Sequence, residues 1–283
     1  GDDSPIAAGA IHEEQEAPLI HFHLEFTISS PFKADLVAKK RPGKCRVHLE
    51  VDTGMQRTGV RCASALHLIQ HVRSLSCFEV VGIYSHLATA DHPNDPFALQ
   101  QIRAFKHLIQ QAPFQGLTAH LANSGGVTHF PEAHLDMVRP GLMAYGYSSL
   151  AALAPCFSLK SKVSYFKVVP ADTGIGYGHT YVTQKQTRIV TIPIGYGDGY
   201  RRALSNRGSV LIRGKRFPIA GAICMDQLMV DVGDAEIYVG DEVVLIGRQG
   251  EEEISLMEIA SLCDTIPYEV LCLLNERIPR VYL

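Results

Sequence analysis

Two spacings of apolar residues alternate along the first half of this 283-residue chain. Short runs predict strands: EFTIS (25–29), CRVHLEV (45–51), FEVVGIYSHL (78–87), LTAHLAN (117–123) and DMVRPG (136–141). Between them, ALHLIQHV and PFALQQIRAFKHLIQQ carry apolar residues at roughly helical spacing, with Phe97, Ile102, Phe105 and Ile109 on one expected face. Strands separated by helices argue a parallel α/β unit, because parallel neighbours need a crossover between them. After Tyr145 the texture changes to SLKSKVSYFKVV, TRIVTIPI, GSVLIRG, LMVDVG and DEVVLIGRQG, short strands punctuated by glycine. This predicts two domains, an α/β one over 1–150 and a mixed, mainly β one over 151–283. Ser255 and Glu258 form a capping-box pattern that starts a helix near the end.

Charge narrows the partners. With 26 basic and 29 acidic side chains the formal charge is -3, which gives no footing for a nucleic acid. The seven cysteines include no CxxC pair, so reduced thiols and a cytoplasmic location are expected rather than a disulfide framework. The opening GDDSPIAAGAIHEEQ is acidic where a signal peptide is basic, and no run reaches the roughly 18 apolar residues of a spanning helix, so no membrane partner is expected.

Arg57, His86, the pair Asn123 and Ser124, and Arg139 each closely follow a different predicted strand. In an α/β barrel the working groups gather at the C-terminal strand ends, where side chains leave the packed interior. A lone arginine is usually solvated and a lone histidine is often structural. Polar groups after four consecutive strands fit one shared site better than packing. In the second half, GYGHTY holds Tyr177 between glycines, either as a proton donor or acceptor or as a packed turn residue. IPIGYGDGYRR lacks the GxGxxG and GKS/T patterns of nucleotide loops, and taken alone it suits a hairpin.

Ten segments occur in one order that resembles the fold-type III pyridoxal-phosphate racemases, alanine racemase above all: HLEVDTGMQRTGV, YSHLATADHP, HLANSGG, MVRPGLMAYG, GYGHTYV, RIVTIPIGYGDGYRR, PIAGAICMDQLMVDVG, DEVVLIGRQG, TIPYEVL and RIPRVYL. They run from residue 48 to the end, and EFTIS falls into place as the strand before them. The resemblance implies a homodimer of (β/α)8 TIM-type barrels with C-terminal β domains, and active sites shared between subunits. It implies pyridoxal 5'-phosphate as cofactor and interconversion of L-alanine and D-alanine by two bases, a cofactor lysine and a tyrosine from the partner.

Carried over residue by residue, Tyr177 is that tyrosine. His86 lies beside the cofactor ring and Arg139 donates to its pyridine nitrogen, which a group of pKa above about 12 keeps unprotonated. Asn123 and Ser124, with the backbone around Gly141 and Leu142, hold the phosphate. Arg57 and the backbone of Met225 face the substrate carboxylate, and Tyr196 narrows the entrance.

Three departures stand beside the match. The family's KAxAYGHG-like lysine segment has no clear counterpart; Lys33 in FKADLVAKK opens a helix and lacks the YGHG continuation. The expectation is therefore a partial barrel, its last five strands, matched from about residue 25, with the cofactor lysine outside this chain. The alternatives are a weak or inactive remnant serving as a cofactor-binding or subunit-interaction module, or a racemase of another small amino acid. Secondly, Glu50 stands where many members carry a carbamylated lysine and is expected to hold Arg57 by a charge-assisted hydrogen bond. Thirdly, Glu276 stands where some members have a phosphate-binding tyrosine, and is expected to turn away.

Overall fold

Alternation within the strands of the first unit, residues 1–152, produces two unlike faces. In the computed structural model, which describes residues 5–9, 16–40, 43–148 and 153–283, the unit's strands are β1 (Ile6–Ala7), β2 (Glu25–Ile28), β3 (Cys45–Asp52), β4 (Val60–Arg61), β5 (Phe78–Tyr84) and β6 (Thr118–His120). Five of these make a parallel path in the order β1-β2-β3-β5-β6, with β4 paired to β3 off the path. The helices are α1 (Glu16–His21), α2 (Pro31–Lys39), α3 (Ala65–Ser74), α4 (Pro96–Ile109) and α5 (Ser124–His129). This is the open, five-stranded part of an α/β barrel.

The number of strands on the path is the expected one, but the membership shifts by one. A strand at Ile6–Ala7, in a segment too short and too rich in alanine and glycine to show a period, pairs with Glu25 and Phe26. DMVRPG contributes only a bridge between Met137 and His120. There the Asp136 carboxylate accepts from the backbone N–H of Ala119 at 2.8 Å, and Pro140 has no N–H to extend a ladder.

The apolar face of β3, Val47, Leu49 and Val51, is buried in one core with Leu68, Ile69 and Val72 of α3 and Ile102, Phe105 and Leu108 of α4. Burying each of these large side chains stabilises by about 1.5–3 kcal/mol. Asp95 starts α4 by accepting from the N–H groups of Phe97 and Ala98, with Pro96 in the first turn. The buried stripe of α4 is Ala98, Gln101, Ile102, Phe105 and Leu108, so the expected face is rotated. Phe97 is 38% exposed, and its ring covers Gly54, where a Cβ would lie 2.6 Å from the ring and where φ is +147°.

The opposite face of the sheet is polar yet buried. Glu25 and Thr27 on β2, His48 and Glu50 on β3 and His120 on β6 are all under 7% exposed. Buried polar groups require partners, and this face supplies them except at one oxygen of Glu50, as described below.

The second unit, residues 153–283, contains β7 (Leu159–Lys162), β8 (Tyr165–Val169), β9 (Gly174–Ile175), β10 (Tyr181–Val182), β11 (Thr187–Ile192), β12 (Ser209–Ile212), β13 (Lys215–Pro218), β14 (Leu228–Gly233), β15 (Glu242–Gln249) and β16 (Glu252–Ile254), then α6 (Leu256–Leu262) and α7 (Pro267–Leu273). Among the described residues one antiparallel sheet runs β14-β11-β8 and another β13-β12-β15-β16, with β7 on β15. SLKSKVSYFKVV therefore divides between two sheets. Ser255 caps α6 by accepting from the Glu258 N–H at 3.1 Å. The Glu258 side chain, expected to reach back, instead accepts from Arg216 at 2.5 Å, a charged donor outcompeting a backbone amide.

Candidate active site

The parallel path puts the C-terminal ends of its strands on one side. Arg57 lies in the turn after β3, His86 follows β5, Asn123 follows β6 and Arg139 follows the Met137 bridge. The expected strand over 78–87 ends at Tyr84, which leaves His86 on a loop. Asn123 is the N-cap of α5, its side-chain Oδ1 accepting from the Gly126 N–H at 2.9 Å. The buried Ser124 hydroxyl accepts from the Gly141 N–H at 2.9 Å, which ties the start of α5 to the turn at Leu142–Tyr145.

Arg139 is anchored at two nitrogens. Nη2 donates to the Ser85 carbonyl at 2.7 Å and Nη1 donates to Nδ1 of His120. Nη2 also stands 3.4 Å from Nδ1 of His86. Burial first, then the Arg139 and Arg57 charges, push the pKa of His86 down to about 4, so its imidazole is neutral near pH 7. His120 is pushed down to about 2 by burial, with Arg139 and His48 adding to the effect.

Behind Arg139 the sheet carries a continuous run of contacts. His120 Nε2 lies 2.8 Å from His48 Nδ1, and His48 Nε2 lies 2.7 Å from Glu25 Oε2. Arg46 pairs with the other Glu25 oxygen at 3.0 Å. Tyr84 stacks on His120, ring centroids 4.8 Å apart. Its hydroxyl meets Thr27 Oγ1 at 2.9 Å and accepts from the Gly9 N–H at 3.0 Å. Burial drives the Tyr84 phenol up to about 12. Sequence reasoning misses Glu25, His48, Tyr84 and His120. For Glu25 and His48 a signal exists in the polar alternation of EFT and RVHLE, in strands that a parallel sheet usually fills with apolar residues; Tyr84 and His120 have none.

Glu50 is 4% exposed. Its Oε1 accepts from the Thr58 hydroxyl at 2.5 Å, while its buried Oε2 has no hydrogen-bond partner. The expected hydrogen bond from Arg57 is not formed. Arg57 lines the same narrow cleft as Glu50, Ser85 and His86, but the turn at Gly59, φ +93°, folds back over the Glu50 backbone and delivers Thr58 first.

In the second unit the three named residues stand on turns. Tyr177 is 73% exposed, in a short turn between Gly176 and Gly178, both at φ +69°. Tyr196 and Met225 are exposed side chains on two loops that are laced together. The Tyr196 N–H donates to the Cys224 carbonyl at 3.0 Å and the Gly197 N–H to the Met225 carbonyl at 2.7 Å. A Cβ at Gly195 would lie 2.2 Å from the Cys224 oxygen. The YGDGY run is a single turn over Tyr196–Asp198 rather than a hairpin. Glu276 is exposed.

The donor set in the first unit suits a planar, phosphorylated pyridine: a donor-only guanidinium held in one plane, a neutral imidazole beside it, and hydroxyl and amide groups at Ser124 and Gly141. Among the described residues no cluster could hold a metal ion, no helix is long and apolar enough to cross a membrane, and Cys45, Cys62, Cys77, Cys224, Cys263 and Cys272 are free thiols.

Comparison with known proteins gives two family models, one described as the alanine racemase N-terminal domain over residues 2–149 and one as the alanine racemase C-terminal domain over residues 156–282. The alanine racemase of Carboxydothermus hydrogenoformans is 48% identical over 247 residues, covering 83% of this chain and 67% of that protein. The alanine racemase of Methanococcus maripaludis is 38% identical over 293 residues, covering 98% of this chain and 78% of that one. Among solved structures, alanine racemase of Bacillus anthracis with bound L-Ala-P superposes with a TM-score of 0.91 at 30% identity, covering 98% of this chain and 75% of the other. That of Clostridium difficile gives 0.90 at 34%, covering 99% and 76%. The chain spans about two thirds of the length of several curated relatives, 67%, 65% and 66%.

These matches overturn one expectation. The N-terminal domain is matched from residue 2, not from about residue 25, so the N-terminal domain that bears the cofactor lysine is not absent. The expectation that the lysine lies outside this chain does not stand. The strand at Ile6–Ala7 is the structural counterpart of that earlier start. Lys33 itself sits in the first turn of α2, its N–H donating to the Ser30 hydroxyl at 3.2 Å.

Proposed function

Because this chain belongs to the alanine racemase family, whose members are pyridoxal-phosphate-dependent amino-acid racemases, we propose that it interconverts L-alanine and D-alanine. The observation that carries the reading is Arg139, doubly anchored and in reach of a neutral His86 at the strand ends. Pyridoxal phosphate, when bound, supplies an electron sink for the charge left when a Cα proton is removed.

The residues then divide the work. Arg139 presents N–H groups to the ring nitrogen and, as a donor that does not lose its proton, keeps that nitrogen unprotonated. That limits delocalisation into the ring and favours return of the proton over side reactions. His86 packs beside the ring without adding charge. Asn123, Ser124, Gly141 and Leu142 hold the phosphate through hydroxyl, amide and backbone groups. Arg57 and the Met225 backbone bind the substrate carboxylate, Glu50 supports that side of the site, and Tyr196 narrows the entrance to suit a small side chain.

Tyr177 moves the Cα proton at its phenolic oxygen on the face opposite the cofactor lysine. Its exposure and its glycine-flanked turn support a role toward a second copy of the chain, in a homodimer whose sites are shared. The free thiols support a cytoplasmic location.

The test is chiral chromatography of L-alanine incubated with the purified chain and pyridoxal phosphate. The expected outcome is a one-to-one mixture of enantiomers, approached from either side. Folded protein that binds the cofactor and converts neither enantiomer rules the reading out. L-serine in parallel decides between alanine and another small amino acid.

A further inference from the structure

The buried run behind Arg139 has a direction that follows from hydrogen-bond chemistry alone. A guanidinium only donates, and a carboxylate only accepts. Arg139 therefore donates a hydrogen bond to His120 Nδ1, which makes that nitrogen the acceptor. Neutral His120 then carries its hydrogen on Nε2 and donates to His48 Nδ1 at 2.8 Å. His48 in turn carries its hydrogen on Nε2 and donates to Glu25 Oε2 at 2.7 Å. A second proton on either ring would set two donors face to face. The two ends of the chain thus dictate both tautomers.

We propose that Glu25 is a positioning residue for Arg139, acting through His48 and His120. It rests on the racemase reading in that Arg139 there faces the cofactor. Glu25, His48 and His120 are buried and laterally fixed. Glu25 is held on its other oxygen by Arg46. The His48 ring occupies the space over Gly82, where a Cβ would lie 2.1 Å from Nδ1. His120 is stacked on Tyr84. With one terminal nitrogen on this chain and the other on the Ser85 carbonyl, the guanidinium plane has a single orientation. Burial, the first cause for both, lowers the pKa of His48 and of His120, in keeping with two neutral rings.

The experiment is nitrogen NMR of the purified chain labelled with 15N-histidine and 15N-arginine at pH 7, with and without pyridoxal phosphate. The expected spectrum has His48 and His120 each in the single Nε2–H form, and separate signals for the two terminal nitrogens of Arg139, whose rotation is blocked. A charged or Nδ1–H form of either histidine in the unsubstituted protein overturns the proposal without any variant. In Glu25→Leu the separate Arg139 signals should merge and the His48 tautomer should become mixed. Glu25→Gln, whose amide oxygen still accepts, should restore both. A folded Glu25→Leu protein with unchanged signals overturns the positioning role. Activity is read separately: Glu25→Leu should lower kcat on the order of tenfold, the loss typical when a partner behind an active-site ligand is removed. Merged signals with an unchanged kcat overturn the link to catalysis, and an unsubstituted protein that never racemises alanine sinks the racemase reading while the spectra still judge the relay.

Discussion

In the first unit Arg139 is tied to His120, His48 and Glu25 beneath the surface, whereas in the second Tyr177, Tyr196 and Met225 stand on turns with their side chains in the open. The first arrangement fixes charge and orientation through side-chain hydrogen bonds. The second fixes only backbone, by lacing turns together, and leaves the side chains free to meet something outside the unit. Substitution should therefore couple stability to chemistry in the first unit and separate them in the second.

The largest effect is expected from Arg139→Leu. It leaves the His120 Nδ1 and Ser85 carbonyl acceptors unpaired, at about 1–3 kcal/mol each, and removes the group proposed to face the cofactor. Urea titration should show the lost stability and absorbance titration with pyridoxal phosphate the lost binding; a variant as stable as the parent would break the contrast. Tyr177→Phe should do the reverse. With the side chain 73% exposed, unfolding free energy should stay within about 0.5 kcal/mol, while racemisation falls about 10²–10⁴-fold. Equal losses of both would place Tyr177 among the structural residues.

Acid should strike the first unit before the second. His86 and His120 have folded pKa values lowered to about 4 and about 2 from an ordinary 6.5. The unfolded chain then binds more protons than the native one below pH 6.5. The stability of the neutral buried rings is fully present above that pH and is lost as pH falls toward each folded value, at up to about 1.4 kcal/mol per unit for each. Melting temperature from pH 7.5 to 4.5, followed with a residue-resolved probe, should drop first at residues of the first unit. The smallest effect is Ser255→Ala, a cap on a helix of the second unit, expected to cost about 1 kcal/mol with catalysis untouched, as paired unfolding and rate measurements would show.

Much of this contrast was legible in the sequence, for identifiable reasons. β3 is visible because eight extended residues carry four full apolar and polar alternations, and Arg57, His86, Asn123 and Arg139 are visible because each closely follows a predicted strand. β1 is invisible because two residues have no period, and it forms only where β2 offers an edge. The rotation of α4 was hidden because Gln101 looks like a surface residue. It is buried because its amide donates to Thr53 and to the His86 carbonyl and accepts from the Ala88 N–H, a tertiary fact. Glu50 and Arg57 are opposite charges near one another in sequence, and only the fold shows Thr58 between them.

The strand pairings also set an order of events during synthesis. Within the first unit β2, β3, β5 and β6 each join the strand before them in the sheet path, so that sheet can grow as the chain leaves the ribosome. β7 cannot: Lys162 pairs with Glu242, eighty residues later. Because long-range pairing must await its partner and is intrinsically slow, the edge of β7 stays open to unwanted neighbours until β15 has been made, well past the middle of the second unit. A ribosome stalled before β15 should thus display a folded first unit and a protease-sensitive, chaperone-bound second one.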